Sequence, residues 1–254
     1  MASPLLLHIP HASTRLPEAD LVDFCLSPAA VHRELLRLTD WHADELFASG
    51  FSAEQIVRAD ISRLVVDVER FADDAQEVAA KVGMGATYVR TSRGETLRVL
   101  TPARRAELLE HYYWPHHRAL DALAAETLAR FGRCLILDAH TYPAEALPTQ
   151  AEVGVTPEIV LGTEGEHTSP GLRAFAEEFF LRQGLDVAID RPFRGAIVPN
   201  AFYGNEPRVQ SVMVEVRRDL YLDETTGERG RGFGRVQKVL TEFREQLEDF
   251  ALVA

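Results

Sequence analysis

Cysteine is scarce in this 254-residue sequence, which contains only Cys25 and Cys134. The two lie far apart and form no CxxC pair, so a disulfide scaffold is not expected and a reducing cytoplasm is the expected location. Long apolar runs are absent as well, since none approaches the 18 residues typical of a membrane span. The opening stretch MASPLLLHIPHA has no basic region, so we expect neither a signal peptide nor a membrane partner.

Positive charge is also limited, with 27 lysines and arginines against 39 acidic residues and a net charge of −12. Nucleic-acid binding requires clustered lysine and arginine, so a nucleic-acid partner is not expected. The sequence lacks a phosphate loop and the GxGxxG, GxSxG and HExxH motifs, which weighs against nucleotide enzymes and serine hydrolases. No pattern indicates an oligomeric state.

Strand-like and helix-like segments alternate along the chain. Apolar strands separated by helices are typical of an α/β fold, with a mostly parallel, twisted sheet and helices on both faces. No break in composition and no repeat is present, so a single domain over residues 1–254 is predicted. The predicted strands are residues 4–9, 61–68, 134–138, 158–162, 185–189 and 209–216, and the predicted helices are residues 28–49, 101–131, 170–183 and 233–251.

Three of these strands end in chemically capable side chains. His11 follows the first strand, Asp138 and His140 end the strand CLILDAHT, and Glu215 lies within VMVEVRRD. Because the carboxyl ends of parallel strands meet at one edge of a sheet, these side chains are expected to converge. Two histidines and a carboxylate are a common catalytic zinc set, and a further carboxylate can act as base on the zinc-bound water. Glu215 has apolar neighbours, and pairing with an arginine is its alternative role.

The third metal ligand must come from another segment, and TDWHADELF (39–47) is the best source. Asp40 and Asp44 are four residues apart, so a helix through this segment would place both on one face. Their position soon after His11 favours a role in the site. The alternative is that both are solvated surface acids.

The segment SRLVVDVERF (62–71) supplies two arginines. In a strand, alternation would place Arg63, Asp67 and Glu69 on one face, with Arg70 at the following turn. Arginine suits bidentate capture of a carboxylate, so these arginines are candidates for a local anion site. An internal salt-bridge network is an equally good interpretation.

These segments resemble the motifs of the N-formylglutamate amidohydrolase family, within the wider group of zinc carboxypeptidases and aspartoacylases. The stretches HIPHASTRLP, DWHADELF, SRLVVDVERF, LILDAHTYP and VMVEVRRDLYLDE each resemble one family motif, in the family's order, over residues 8–224. The resemblance implies a zinc carboxypeptidase-like fold of the phosphorylase/hydrolase-like type. It also implies one zinc ion per chain as the cofactor.

The resemblance assigns the metal ligands. His11 and His140 are similar to the two histidine ligands of the carboxypeptidase-like zinc site. In carboxypeptidases the carboxylate ligand follows soon after the first histidine, but residues 12–17 contain no acid. Asp44 is therefore taken as the third ligand, in preference to Glu45 and Asp40.

The resemblance also assigns the base and the substrate-binding residues. Glu215 matches the catalytic glutamate, which takes a proton from the zinc-bound water. Arg63 and Arg70 would hold substrate carboxylates, and Arg217 or Arg218 could contribute by position.

Two segments depart from the family pattern. Glu69 stands where the family has asparagine, just before Arg70, which implies either an altered anion pocket or a substrate with a positive group. In the loop RPFRGAIVPN (191–200), Arg194 and Ala196 replace smaller or glycine positions. Arg194 is expected to bind substrate and to supply the charge that Glu69 cancels.

The predicted function is zinc-dependent hydrolysis of the amide bond of a small N-acyl amino acid. The first candidate is N-formylglutamate, cleaved to formate and glutamate in histidine breakdown. One alternative is hydrolysis of a small peptide or another N-acyl amino acid by metallo-carboxypeptidase-like chemistry. Another is a non-catalytic relative that keeps the fold and an anion pocket, although both histidines together with Glu215 favour an enzyme.

Overall fold

A six-stranded sheet lies at the centre of the computed structural model, which describes residues 3–145 and 156–253. Its strands are β1 (Leu5–Ile9), β2 (Ile56–Arg58), β3 (Cys134–Tyr142), β4 (Ile159–Gly162), β5 (Val187–Ile189) and β6 (Val209–Arg217), and a separate hairpin pairs β7 (Leu222–Asp223) with β8 (Glu228–Arg229). The strand order is β2-β1-β3-β6-β4-β5, and every neighbouring pair is parallel except β4 with β6. The predicted α/β class with a mostly parallel sheet is confirmed.

Seven α-helices accompany the sheet in the described ranges: α1 (Glu18–Leu21), α2 (Pro28–Leu38), α3 (Ala43–Phe47), α4 (Pro102–Leu108), α5 (Trp114–Phe131), α6 (Pro170–Arg182) and α7 (Phe233–Val253). Helices α2, α4 and α6 begin after the N-cap residues Ser27, Thr101 and Ser169, each of which accepts a hydrogen bond from the backbone N–H three residues later. A π-helical turn over Leu109–Tyr113 joins α4 to α5. Among the described residues, no helix is long and apolar enough to cross a membrane.

The alternation of side chains along the strands divides the core between the two faces of the sheet. Leu5, Leu7 and Ile9 of β1 belong to an apolar cluster with residues of α6 and α7. Leu6 belongs instead to a cluster with Leu120 of α5. Residues that alternate with Leu6 therefore face α5, and this face carries the polar site.

The single helix predicted over residues 28–49 is wrong, because the chain leaves the helical conformation between α2 and α3. Thr39 is extended and His42 has φ 60°, in the left-handed region. The Asp40 N–H donates to the carbonyl of His11 at 3.0 Å, which a continuous helix would not allow. Asp40 and Asp44 therefore do not share a helix face.

The strand predicted over residues 61–68 is also wrong, since this segment is a series of turns and the strand beside β1 is β2. Its valines are buried in an apolar cluster under the loop, which explains the β-like composition. Its backbone hydrogen bonds go elsewhere: the Ser62 N–H donates to the carbonyl of Arg15, and the Asp67 N–H to that of Ala86. Buried β-branched residues are typical of strands, and this composition led to the strand prediction. No neighbouring strand pairs with the segment, however.

Candidate metal centre and active site

The register of three parallel strands gathers polar side chains at one edge of the sheet. His8 of β1 lies beside Asp138 of β3, and His140 of β3 lies beside Glu215 of β6. These four alternate with residues of the opposite cluster, so they face α5. All four are buried, as expected where strand ends converge under connecting loops.

The two predicted histidine ligands come together, and Asp40 joins them. His11 Nδ1 and His140 Nδ1 are 3.3 Å apart. Asp40 Oδ2 lies 3.2 Å from His140 Nδ1 and 3.9 Å from His11 Nδ1. Two imidazole nitrogens and one carboxylate oxygen thus converge in a buried space.

The His11 ring is oriented by a carboxylate on its other nitrogen. His11 Nε2 donates to Asp67 Oδ1 at 2.8 Å, and Asp67 Oδ2 accepts from Arg63 at 2.7 Å. Asp67 is fully buried, and although burial opposes its ionisation, the Arg63 guanidinium and His11 hold its pKa well below the usual range. A carboxylate behind an imidazole fixes the tautomer and leaves the other nitrogen free to bind a metal.

The three converging atoms fit a metal ion. Because His11 Nε2 carries the proton, His11 Nδ1 presents a lone pair toward His140 Nδ1, and this approach is unfavourable unless a proton or a cation lies between the rings. A point equidistant from the two nitrogens and Asp40 Oδ2 lies about 2.0 Å from each, which is the length of zinc bonds to such ligands. The donor set of two imidazoles and one carboxylate is also one that zinc prefers.

Asp40 is held in place by the buried Arg218, which the sequence analysis named only beside Arg217 as a residue near the substrate. Arg218 donates to Asp40 Oδ1 at 3.0 Å and to the carbonyl of Arg37 at 2.6 Å. The Thr141 N–H donates to Asp40 Oδ2 at 3.2 Å. Burial opposes ionisation of Asp40, but the His140 contact outweighs it and lowers the pKa of this carboxyl to about 2.

Asp44, the predicted third ligand, does not reach the histidine pair. Its side chain is 40% exposed and pairs with Arg58 at 3.6 Å. The prediction failed because it assumed one helix through Asp40 and Asp44, whereas α3 begins only at Ala43 and turns Asp44 outward. The correction exchanges Asp44 for Asp40, the alternative considered from the sequence.

Glu69 is a second carboxylate within range of the histidine pair. Ligand atoms of His11, Glu69 and His140 lie within 4.8 Å of one another. Glu69 Oε2, however, lies 2.9 Å from His140 Nε2, on the ring edge opposite Nδ1. Asp40 and Glu69 thus approach different edges of the His140 ring, and only Asp40 lies on the edge that faces His11.

Glu215, the predicted base, is buried beside His140. Burial raises its pKa to about 8, with the nearby His140 charge opposing the shift. Its Oε2 has no hydrogen-bond partner among the described residues. A buried carboxylate oxygen without a partner is costly, so a bound water or substrate group is expected there.

The arginines of the segment 62–71 differ in availability. Arg63 donates to Asp67 and to the hydroxyl of Tyr88, so it supports His11 through Asp67. Arg70 contacts Asp67 only at 3.7 Å, its Nε has no hydrogen-bond partner among the described residues, and its side chain is 34% exposed. Arg70 is therefore the better placed to bind an anion.

The two other predicted substrate residues lie on different segments. Arg217 donates to Asp219 at 2.7 Å and also to the carbonyl of Thr156, so its guanidinium is already engaged. Arg194 is exposed on the loop 190–198. This loop reaches the site, because the Ile197 N–H donates to Asp138 Oδ2 at 2.9 Å.

The sequence analysis assigned no role to His8 or His116. His8 Nδ1 lies 2.9 Å from Asp138 Oδ1, and its Nε2 lies 2.8 Å from His116 Nε2 on α5. Burial lowers the pKa of His8, but Asp138 and Glu69 outweigh it and raise this pKa to about 9. A signal was present, since His8 is the one polar residue in the apolar run LLLHI.

Comparison with known proteins decides the family. A model of the N-formylglutamate amidohydrolase family matches residues 3–222. The chain belongs to the N-formylglutamate amidohydrolase family. The predicted family, and with it a hydrolase acting on a linear amide, is confirmed.

Known proteins resemble the chain over most of its length. An N-formylglutamate deformylase from Pseudomonas aeruginosa is 30% identical over 228 residues, and one from Pseudomonas putida is 28% identical over 233; each alignment covers 87% of this chain and 83% of the relative. The crystal structure of an N-formylglutamate amidohydrolase from Ralstonia eutropha JMP134 matches with a TM-score of 0.84 and 25% identity, covering 98% of this chain and 94% of the other. A gene product from Agrobacterium tumefaciens, Atu2144, shares the fold with a TM-score of 0.66 at 17% identity, covering 97% of this chain and 92% of the other.

Proposed function

We propose that this protein hydrolyses N-formyl-L-glutamate to formate and glutamate, with one Zn²⁺ held by His11, His140 and Asp40. The observation that supports the metal is the convergence of His11 Nδ1, His140 Nδ1 and Asp40 Oδ2 at 3.2–3.9 Å in a buried site. The substrate is proposed from the family and its named relatives. A cytoplasmic enzyme of histidine breakdown would fit this substrate.

The metal and the chain have separate tasks in this proposal. Zn²⁺ bound there would supply Lewis acidity, lowering the pKa of a bound water and polarising the formyl carbonyl. The charge of a bound Zn²⁺ would favour the ionised form of Glu215, opposing the effect of burial on its pKa. In that form Glu215 would accept the proton of the attacking water at its free Oε2 and deliver it to the nitrogen of the departing glutamate. Asp67 and Arg218 position His11 and Asp40, respectively, so that the ligands need no rearrangement.

The two substrate carboxylates require cations outside the metal site. Arg70 is proposed for one of them, because its Nε is without a hydrogen-bond partner among the described residues. Arg194 is proposed for the other, since its loop is fixed against Asp138. Arg63 and Arg217 are engaged by Asp67 and Asp219, so a smaller contribution to substrate binding is expected from them.

The test is formate release from N-formyl-L-glutamate by purified protein of known zinc content, with and without a chelator. Release that stops with the chelator and returns with zinc supports the whole proposal. Bound zinc without formate release would move the substrate to another N-acyl amino acid, including one with a cationic group near Glu69. Neither zinc nor turnover would favour the non-catalytic anion-binding relative.

A further inference from the structure

A second group of ligand atoms lies on the far edge of the His140 ring. His8 Nδ1 is 2.9 Å from Asp138 Oδ1 and 3.4 Å from Glu69 Oε1. One ligand atom from each of His8, Glu69 and Asp138 falls within 4.8 Å of the others. None of these three residues is among the ligands proposed for the zinc ion above.

Each of the three side chains has a second polar atom that points away from the other two residues. A contact at that second atom orients the side chain. His8 Nε2 meets His116 Nε2 at 2.8 Å. Asp138 Oδ2 accepts the Ile197 N–H at 2.9 Å, and Glu69 Oε2 contacts His140. Ligands fixed by outer partners in this way are characteristic of metal sites, whereas a chance cluster of acids has no such support.

Two buried atoms at this group are left without hydrogen-bond partners among the described residues. One is Glu69 Oε1 itself, and the other is His140 Nε2. His140 is 3% exposed, and its Nε2 points at the group, 2.9 Å from Glu69 Oε2 and 3.2 Å from Asp138 Oδ1. Neither contact has the alignment of a hydrogen bond, so protons alone do not satisfy these atoms.

The charges of these residues also favour a bound cation. Asp138 is buried and the Glu69 side chain is only 15% exposed, so the two carboxylates share a largely buried space. In the absence of a metal, the proton held by His8, whose pKa, despite burial, is raised to about 9 by Asp138 and Glu69, compensates part of this charge. A single divalent cation bound at the group would replace that proton and balance both carboxylates. His8 also lies only three residues before His11, so the end of β1 places one histidine at each edge of the His140 ring.

We propose that His8, Glu69 and Asp138 form a second divalent-cation site, next to the zinc site and separated from it by the His140 ring. One imidazole with two carboxylates suits Zn²⁺ or Mn²⁺, with water completing the coordination. The cation would fix Glu69 against His140 and thereby hold the ring whose opposite edge faces His11. This site does not depend on the identity of the substrate.

Counting metal ions tests the proposal without measuring activity. Protein dialysed against Zn²⁺ and then freed of loosely bound metal should hold about two ions per chain, measured by elemental analysis. Glu69→Gln and His8→Asn should each hold about one, and Asp40→Asn should also hold about one, from the other site. Asp44→Asn is the matched control and should still hold about two, because Asp44 pairs with Arg58 outside both groups.

Each result separates the two sites. A wild-type count of about one that Asp40→Asn abolishes and Glu69→Gln leaves unchanged would overturn the second site and keep the first. A count of about one that Glu69→Gln abolishes and Asp40→Asn leaves unchanged would keep the second site and overturn the proposed zinc ligands. If the variants do not fold, wild-type crystals grown with Zn²⁺ decide: the absence of an anomalous peak at bonding distance from His8 Nδ1 overturns the proposal.

Discussion

His11 donates its Nε2 proton to Asp67 Oδ1 at 2.8 Å, and this contact determines which nitrogen His11 can offer to a metal. The same carboxylate accepts from Arg63 through its other oxygen. An arginine that the sequence presented as a substrate ligand is thus part of the support for a metal ligand. This support has a measurable consequence for metal affinity.

Asp67→Asn should weaken Zn²⁺ binding by about 10- to 100-fold, because the neutral amide neither fixes the His11 tautomer nor raises the basicity of its ring. The measurement is competition with a chelating dye, with circular dichroism to show that the fold persists. Asp60→Asn is the control, since that side chain is exposed. Unchanged affinity in a folded Asp67→Asn protein would contradict the role of Asp67 in positioning His11 for the metal.

Asp40→Asn and Asp44→Asn distinguish the two acids of the segment TDWHADELF. Asp40→Asn should lose the zinc that is bound by the histidine pair, because Asp40 Oδ2 is the carboxylate atom nearest to His140 Nδ1 in that site. Asp44→Asn should retain it, since its partner is Arg58. Elemental analysis of the two proteins side by side gives the answer, and the reverse pattern would restore Asp44 as the ligand.

The error at Asp44 shows where sequence reasoning reached its limit. Strand ends located His11, His140 and Glu215, because an apolar run that stops at a polar residue is visible in one dimension. The break after α2 was not visible, since it depends on the Asp40 N–H bonding to the carbonyl of His11 and on Arg218 holding the loop. Such contacts join residues far apart in the chain, and local periodicity carries no record of them.

The same limit explains the turns over residues 61–68. Their valines are buried, as a strand would require, but the place beside β1 is taken by Ile56–Arg58. The alternative interpretation of this segment, an internal salt-bridge network, does not depend on a strand, because Arg63 and Asp67 still meet at a spacing of four residues. The composition of a segment indicates whether it is buried. Whether it forms a strand depends also on which other segment pairs with it, and composition does not show that.

Glu215→Gln should lower kcat by about 10²- to 10⁴-fold while leaving the metal content unchanged. The amide keeps the size of the side chain but cannot accept the proton of the attacking water. Formate release and elemental analysis on the same preparation measure both quantities. Glu228→Gln, on the exposed β7–β8 hairpin, should match the wild type in both. Retained turnover in Glu215→Gln would remove Glu215 as the base.

Arg70→Ala should raise KM for N-formyl-L-glutamate by about 10- to 100-fold, the effect of losing a charge-assisted hydrogen bond to a carboxylate. Arg217→Ala should raise it much less, because Arg217 is engaged by Asp219. Steady-state kinetics with metal-loaded proteins compare the two. Equal effects would place Arg217 at the substrate and contradict the assignment of Arg70.

The two cysteines should differ sharply in reactivity, which tests the position of β3. Cys25 is exposed, whereas Cys134 is 1% exposed, and burial raises the pKa of its thiol to about 12. A raised pKa leaves almost no thiolate at pH 8, and the thiolate is the reactive form. In the native protein, a chromogenic thiol reagent should therefore react at Cys25 alone. Cys25→Ser should abolish that reaction. In denaturant, Cys25→Ser should react through Cys134. Rapid reaction of native Cys25→Ser would mean that the start of β3 is accessible, and the strand that carries Asp138 and His140 would then be less firmly held than its burial implies.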